Sequence, residues 1–191
     1  MTVNTNELLA EFQFYDKYSR FNHEKGRRET WGEAIKRSID FLKELSQNKL
    51  PQEDYEQIED YMLKKKAFPS MRLFAMAGEA AKRDIASIFN CSAIGIDSIT
   101  SIVEVMALSM SGCGVGFSVE HKYIEKLPVI QDQYGGVLSV LFVEDSTEGW
   151  LEAFRLGLSA WFSGEDIEFD YSGIRPAGSI LKIKGGRASG P

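Results

Sequence analysis

The chemistry open to this chain rests on few side chains. It has two cysteines, Cys91 and Cys113, and two histidines, His23 and His121. Neither cysteine stands in a CxxC pair or at zinc spacing from a histidine, and two are too few for a disulfide scaffold, so no metal site is expected. Cys91 follows Asn90 in a strand-like run, where a thiol serves either as a small apolar filler or as a redox group. Cys113 lies in Gly112-Cys113-Gly114-Val115-Gly116, whose glycines let the backbone approach a ligand with its amides exposed. That turn follows a helix instead of preceding one, so it is not a dinucleotide fingerprint, and tight packing explains it equally well. Asp97 has a structural reading as a helix cap. The terminal Gly185-Gly186-Arg187-Ala188-Ser189-Gly190-Pro191 either cradles a phosphate or serves as a linker. The residues alone therefore reach an α/β protein with candidate anion-binding turns and no catalytic constellation.

The elements that must position these groups are legible from periodicity. Thr30-Trp31-Gly32-Glu33 fits a capping box. Trp31, Ala34, Ile35, Ser38, Ile39, Leu42 and Leu45 follow at helical spacing, so one stripe faces a core. A second helix is expected over 52–65, burying Tyr55, Ile58, Tyr61 and Met62, with Lys64, Lys65 and Lys66 at the negative pole of its dipole. Pro69 closes this region. Residues 86–96 read as a strand, and Asp97-Ser98 as the cap of a helix with stripe Ile99, Ile102, Val103, Met106 and Met110. The glycine turn then leads into a strand over 115–119, which makes a parallel β-α-β unit. Gly135-Gly136 leads into a strand over 137–143. Asp145 or Ser146 caps a further helix with Trp150, Leu151, Phe154, Leu158 and Trp161 on one face. Residues 165–170 are acidic, whereas 174–191 carry Arg175, Lys182, Lys184 and Arg187 and no carboxylate side chain. The glycine-rich ending, with no element to tie it down, reads as part of a longer protein.

Composition narrows the partners. The 191 residues are 43% hydrophobic and 26% charged with net charge −6, and the isoelectric point near 5.1 argues against a broad nucleic-acid surface. Any nucleotide must be met by a local site. The first residues lack the basic-then-apolar layout of a secretory signal and no apolar run approaches a membrane span, so a cytoplasmic protein is expected.

Phe68-Pro69-Ser70-Met71-Arg72 with Ala77-Gly78, then Phe89-Asn90-Cys91-Ser92, then Gly112-Cys113-Gly114-Val115-Gly116-Phe117-Ser118-Val119-Glu120 resemble, in that order, the first half of class II ribonucleotide reductase catalytic chains. Tyr18-Ser19-Arg20, Arg27-Arg28-Glu29-Thr30-Trp31, Arg175-Pro176-Ala177-Gly178 and the glycine-rich ending are similar to the B12-dependent triphosphate reductases of that family. The fold this implies is α/β: a helical N-terminal region, 1–68, and the first strands and helices of a ribonucleotide-reductase-type α/β barrel, 69–191, incomplete in this chain.

The resemblance also implies roles. Cys91 matches the redox-active cysteine, which ends in a disulfide with a later cysteine as the ribose 2′-hydroxyl leaves as water. Ser70, Asn90, Ser92 and Gly114 fall where the family binds substrate phosphates and sugar. Asp97 and Ser98 match the segment that holds a deoxynucleotide effector, and 122–126, beginning at Lys122, resembles a neighbouring effector loop. The radical-bearing Asn-x-Cys-x-Glu loop has no match here, and neither does the Gly-Gly-Val-Arg-Arg-type coupling loop. Cys113 stands where many relatives have a small residue. The implied assembly comprises a complementary C-terminal reductase chain, a ribonucleotide substrate, a deoxynucleotide effector, a thioredoxin-like reductant and adenosylcobalamin. Two other readings compete: a non-catalytic nucleotide-binding or regulatory module, and the N-terminal part of a diiron-dependent reductase. The Arg-Ala-Ser-Gly-Pro ending favours the cobalamin-dependent kind.

Overall fold

Thr30 and Glu33 close the expected capping box: the Thr30 hydroxyl accepts from the Glu33 amide, and the Glu33 carboxylate accepts from the Thr30 amide. The helix they start, α2 (Trp31–Leu45), buries Ala34, Ile35, Ser38 and Ile39 as expected, and Phe41 besides, whereas Leu45, at the end of the expected stripe, is exposed. In the computed structural model, which describes residues 5–133, 137–181 and 186–191, the chain divides into two compact units, 1–89 and 90–191. The helical region read from the sequence lies within the first unit.

Around α2 the first unit sets α1 (Thr5–Gln13), a π-helical turn (Phe14–Tyr18) and a short antiparallel hairpin of β1 (Phe21–Asn22) and β2 (Arg27–Arg28). Then follow α3 (Gln52–Leu63), α4 (Met71–Met76), α5 (Glu79–Arg83) and a 3₁₀ turn (Ile85–Ile88). The core joins Phe14, Ile35, Ile39, Tyr55, Met62 and Phe74. Burying such a side chain contributes about 1.5–3 kcal/mol. In α3 only Tyr55 and Met62 of the expected stripe are buried, while Ile58 and Tyr61 are exposed. Tyr55 and Met62 are seven residues apart, so α3 presents a narrow seam to its neighbour instead of a broad face.

A polar network ties the first unit together. The Arg37 guanidinium donates to both Glu29 carboxylate oxygens, at 2.9 and 3.1 Å, and to the Phe74 and Ala77 carbonyls at 3.1 and 2.9 Å. Arg20 donates to the Ala75 carbonyl at 2.7 Å, and burial together with the neighbouring Arg37 charge pushes its pKa down to about 10. Ser19 donates its hydroxyl to the Glu29 carbonyl, and Arg28 donates to the Ser19 carbonyl. The Tyr-Ser-Arg and Arg-Arg-Glu-Thr-Trp motifs near the start of the chain therefore do structural work, holding the helix that follows Ser70.

The second unit contains two parallel β-α-β units. β3 (Cys91–Gly95), α6 (Ile99–Met110) and β4 (Gly114–Ser118) form the first, with Cys91 opposite Gly114 and Gly95 opposite Ser118. After α7 (His121–Ile124), β5 (Val137–Phe142), α8 (Thr147–Phe162) and β6 (Asp166–Asp170) form the second. Strands joined by a crossover helix run parallel because the helix returns the chain to the same end of the sheet.

Several expectations are corrected here. The strand expected over 86–96 begins only at Cys91, because the Asp84 carboxylate accepts the Ala86 amide and winds 85–88 into a 3₁₀ turn. The acidic 165–170 segment forms β6, its Ile167 and Phe169 alternating with acidic residues as in a half-covered strand. Ser146, not Asp145, caps α8; Asp145 instead takes the Arg175 guanidinium at 2.7 and 2.9 Å. Ala153 and Gly157 are the buried residues of α8, and Trp161 is exposed. A methyl built on Gly157 would lie 2.8 Å from the Phe169 ring, so the helix approaches the strand through its small residues. No described helix is long and apolar enough to cross a membrane.

Candidate functional site

β3 begins at Cys91, the exposed cysteine, and Cys113 is buried. Side chains alternate across a strand, and register partners in a parallel pair share a face. Cys91, Ala93 and Gly95 therefore lie on one face with Gly114, Gly116 and Ser118, none of them larger than cysteine. Ser92, Ile94 and Val115 point to the other face and are partly buried. Cys113, one residue before Gly114, belongs to that opposite side, so the two thiols do not face each other. Under native conditions, titration with a thiol reagent is expected to find Cys91 reacting fast and Cys113 slowly. Equal rates would contradict this placement.

The glycines of the turn divide by cause. Gly112 has φ +89° and the Cys113 amide reaches back to the Leu108 carbonyl at 3.0 Å, so Gly112 is the left-handed residue that ends α6. Gly114 and Gly116 have ordinary backbone angles, and a methyl on either would meet only a backbone oxygen, at 3.7 and 3.8 Å. Packing within this unit does not require glycine there. The Gly114 amide donates to the Asn90 carbonyl at 2.8 Å, which joins the start of β4 to the residue before Cys91.

The other expected site residues separate. Asn90, Ser92 and Gly114 meet at the amino end of the β3–β4 pair. Ser70 sits in the first unit, where its hydroxyl accepts the Leu73 amide and caps α4. At the carboxyl end of β3 the cap of α6 is Ser98, not Asp97: Ser98 and Ser101 satisfy each other's amides. Asp97 accepts the Ser98 hydroxyl at 3.3 Å and lies 3.9 Å from the Lys126 ammonium. Its carboxylate is thus free of the capping role, because the serine hydroxyls supply it. Lys122 pairs with Glu120 at 3.0 Å and lies over the Tyr123 ring.

Tyr123 lies within the 122–126 stretch read as an effector loop, but neither it nor Gly95 was named as a site residue by sequence. The Tyr123 ring lies against Gly95 beside a cleft of about 380 Å³ that also borders Ala93, Gly116 and Phe117. The signal for this was a glycine inside a strand, which marks close approach of another group. A larger hollow of about 470 Å³, between Ile99, Val129 and Phe162, holds none of the expected site residues. Of the terminal loop, Lys182, Lys184 and Gly185 lie outside the described residues, as do Gly135 and Gly136. Arg187 donates to the Gly178 carbonyl and bridges to Ile180, so its guanidinium braces a chain reversal.

The profile of the ribonucleotide reductase alpha domain matches residues 2–85. An adenosylcobalamin-dependent ribonucleoside-triphosphate reductase of Euglena gracilis is 30% identical over 204 residues, which cover 96% of this chain and 28% of that protein. A probable enzyme of the same name from Dictyostelium discoideum is 28% identical over the same shares. The chain thus spans under a third of the length of these curated relatives. A B-12 dependent (class II) ribonucleotide reductase crystal structure superposes with TM-score 0.77 at 23% identity, over 95% of this chain and 34% of that one, and shares its fold. In motif order, domain profile and fold, the chain resembles the N-terminal portion of the class II ribonucleotide reductases.

Proposed function

We propose that this chain supplies the N-terminal part of a ribonucleotide reductase that converts ribonucleotides to deoxyribonucleotides, acting with a complementary C-terminal half that carries the radical cysteine. The observation that carries this reading is Cys91, exposed at the first residue of a parallel pair, opposite Gly114 and on a face to which the two strands contribute only small residues. In each turnover the Cys91 thiol and a thiol of the other half become one disulfide. Their two electrons and two protons reduce the ribose 2′ carbon: the C–O bond breaks, one proton joins the leaving hydroxyl to give water, and the other hydrogen ends in the new 2′ C–H bond. A thioredoxin-like dithiol then reduces the disulfide. The amides and polar side chains around Asn90, Ser92 and Gly114 would meet the nucleotide's phosphates and sugar. Asp97, Ser98 and Lys122 would hold a deoxynucleotide effector.

Both relatives are named adenosylcobalamin-dependent, which favours a cobalamin radical over a diiron one. The described residues do not fit that cofactor. Both imidazoles are exposed, His23 edge-on to Phe21 and His121 beside Glu125, and the cleft beside Tyr123 is too small for a corrin. In this reading the cobalamin contacts lie in the complementary half.

The test is reconstitution. This chain alone, given adenosylcobalamin and a dithiol, is expected to form no deoxynucleotide. Adding a polypeptide that bears an Asn-x-Cys-x-Glu loop should restore reduction. Product from the chain alone, or none from the pair, would refute the division of labour.

A further inference from the structure

Tyr123 packs at the carboxyl end of β3, beside the segment proposed to hold the effector. α7 has only four residues, His121–Ile124, too few to hold themselves helical without side-chain anchors. The anchor on the strand face is the Tyr123 ring: a methyl built on Gly95 would lie 2.5 Å from one ring carbon and 2.8 Å from another. Gly95 does not have the positive φ that favours glycine, so its lack of a side chain serves space and not backbone conformation. The ring thus rests on bare backbone, on the same face as Cys91 and Gly114. On the same short segment, the Lys122 ammonium lies 4.9 Å from the Tyr123 ring centroid, and the Lys126 ammonium lies 3.9 Å from the Asp97 carboxylate.

We infer that Tyr123 is a positioning residue for the effector, its ring on Gly95 holding the lysines of α7 and its trailing turn beside Asp97. The inference rests on the reading of Asp97, Ser98 and Lys122 as the effector segment. Its physical content is preorganisation. With the ring docked, a nucleotide's phosphates meet lysines already in place. Without it, binding must order a short, exposed segment, and that entropic cost falls on the affinity. The contact belongs to the ring and not to the hydroxyl, so phenylalanine should serve as well as tyrosine.

The experiment is calorimetric binding of deoxyadenosine triphosphate and thymidine triphosphate to the full chain, with a thermal melt of each variant. Tyr123→Phe should bind as wild type. Tyr123→Ala and Gly95→Ala should each weaken binding about tenfold, the first by removing the ring and the second by evicting it. Because both variants break one contact, the double variant should bind no worse than either single one. A purely structural role would lower the melting temperature and leave affinity unchanged among the folded variants. Wild-type affinity in Tyr123→Ala would overturn the inference, as would additive losses in the double variant. If the wild-type chain binds neither nucleotide, the effector reading falls and this inference falls with it; measurable wild-type binding separates the two failures.

Discussion

In the reassembled enzyme, Cys91→Ser is expected to stop multiple turnover, whereas Cys113→Ala leaves the rate near that of wild type. The contrast follows from where the two thiols lie. Cys91 is exposed on the face of small residues, and only there can it reach a cysteine of another chain segment and be reached by an external dithiol. A serine hydroxyl cannot form the disulfide, so the two electrons needed for each reduction are not delivered. Cys113 is buried behind the turn that ends α6. Its replacement removes one small buried group and should cost about 1 kcal/mol of stability. The assay is deoxynucleotide formed against enzyme concentration, with dithiol in excess. If Cys113→Ala proved the more damaging, the assignment of the redox role to Cys91 would be wrong.

Arg37→Ala should be among the most destabilising single changes in the first unit. The guanidinium and the Glu29 carboxylate are only 15% and 14% exposed, and Arg37 also satisfies the Phe74 and Ala77 carbonyls. Removing it leaves a largely buried carboxylate with the Arg20 amide as its remaining donor and takes the guanidinium from two carbonyls. Losing one partner of such a pair costs about 3–5 kcal/mol when fully buried, so roughly 2–4 kcal/mol is expected here. Arg37→Lys should recover only part of this, because a single ammonium cannot span Glu29 and two carbonyls as the planar fork does. Denaturant unfolding followed through the tryptophan of the first unit, Trp31, reads the effect. A loss below about 0.5 kcal/mol would mean that the network is ornamental.

Local patterns carried much of the architecture. The capping box at Thr30 and Glu33, the α2 stripe, and the helix-to-glycine-turn-to-strand order around Gly112 are interactions among residues within a few positions of one another. Sequence spacing determines those directly. The strand at β6 was legible in principle, since Ile167 and Phe169 alternate with acidic residues, but its charge masked the period. The motif order pointed to Cys91 and to the reductase family before any geometry was known. Strand alternation then fixed that Cys91 and Gly114 share a face once their pairing was given.

Only the tertiary structure decided which polar groups are spoken for. Ser98 and Ser101 satisfy the amides at the start of α6 and so release the Asp97 carboxylate, while Arg175 takes the Asp145 carboxylate that could have capped α8. Ala153 and Gly157 are the residues of α8 that become buried because a close approach to Phe169 favours small side chains, with the exposed Trp161 edge-on to the same ring. Glu29, Arg37 and the carbonyls after Ser70 are brought together from separate segments, and the Tyr123 ring meets Gly95 from 28 positions away. Periodicity reports which side of an element is apolar. It says nothing about which distant donor reaches a given acceptor, because that choice depends on distances set only when the elements pack.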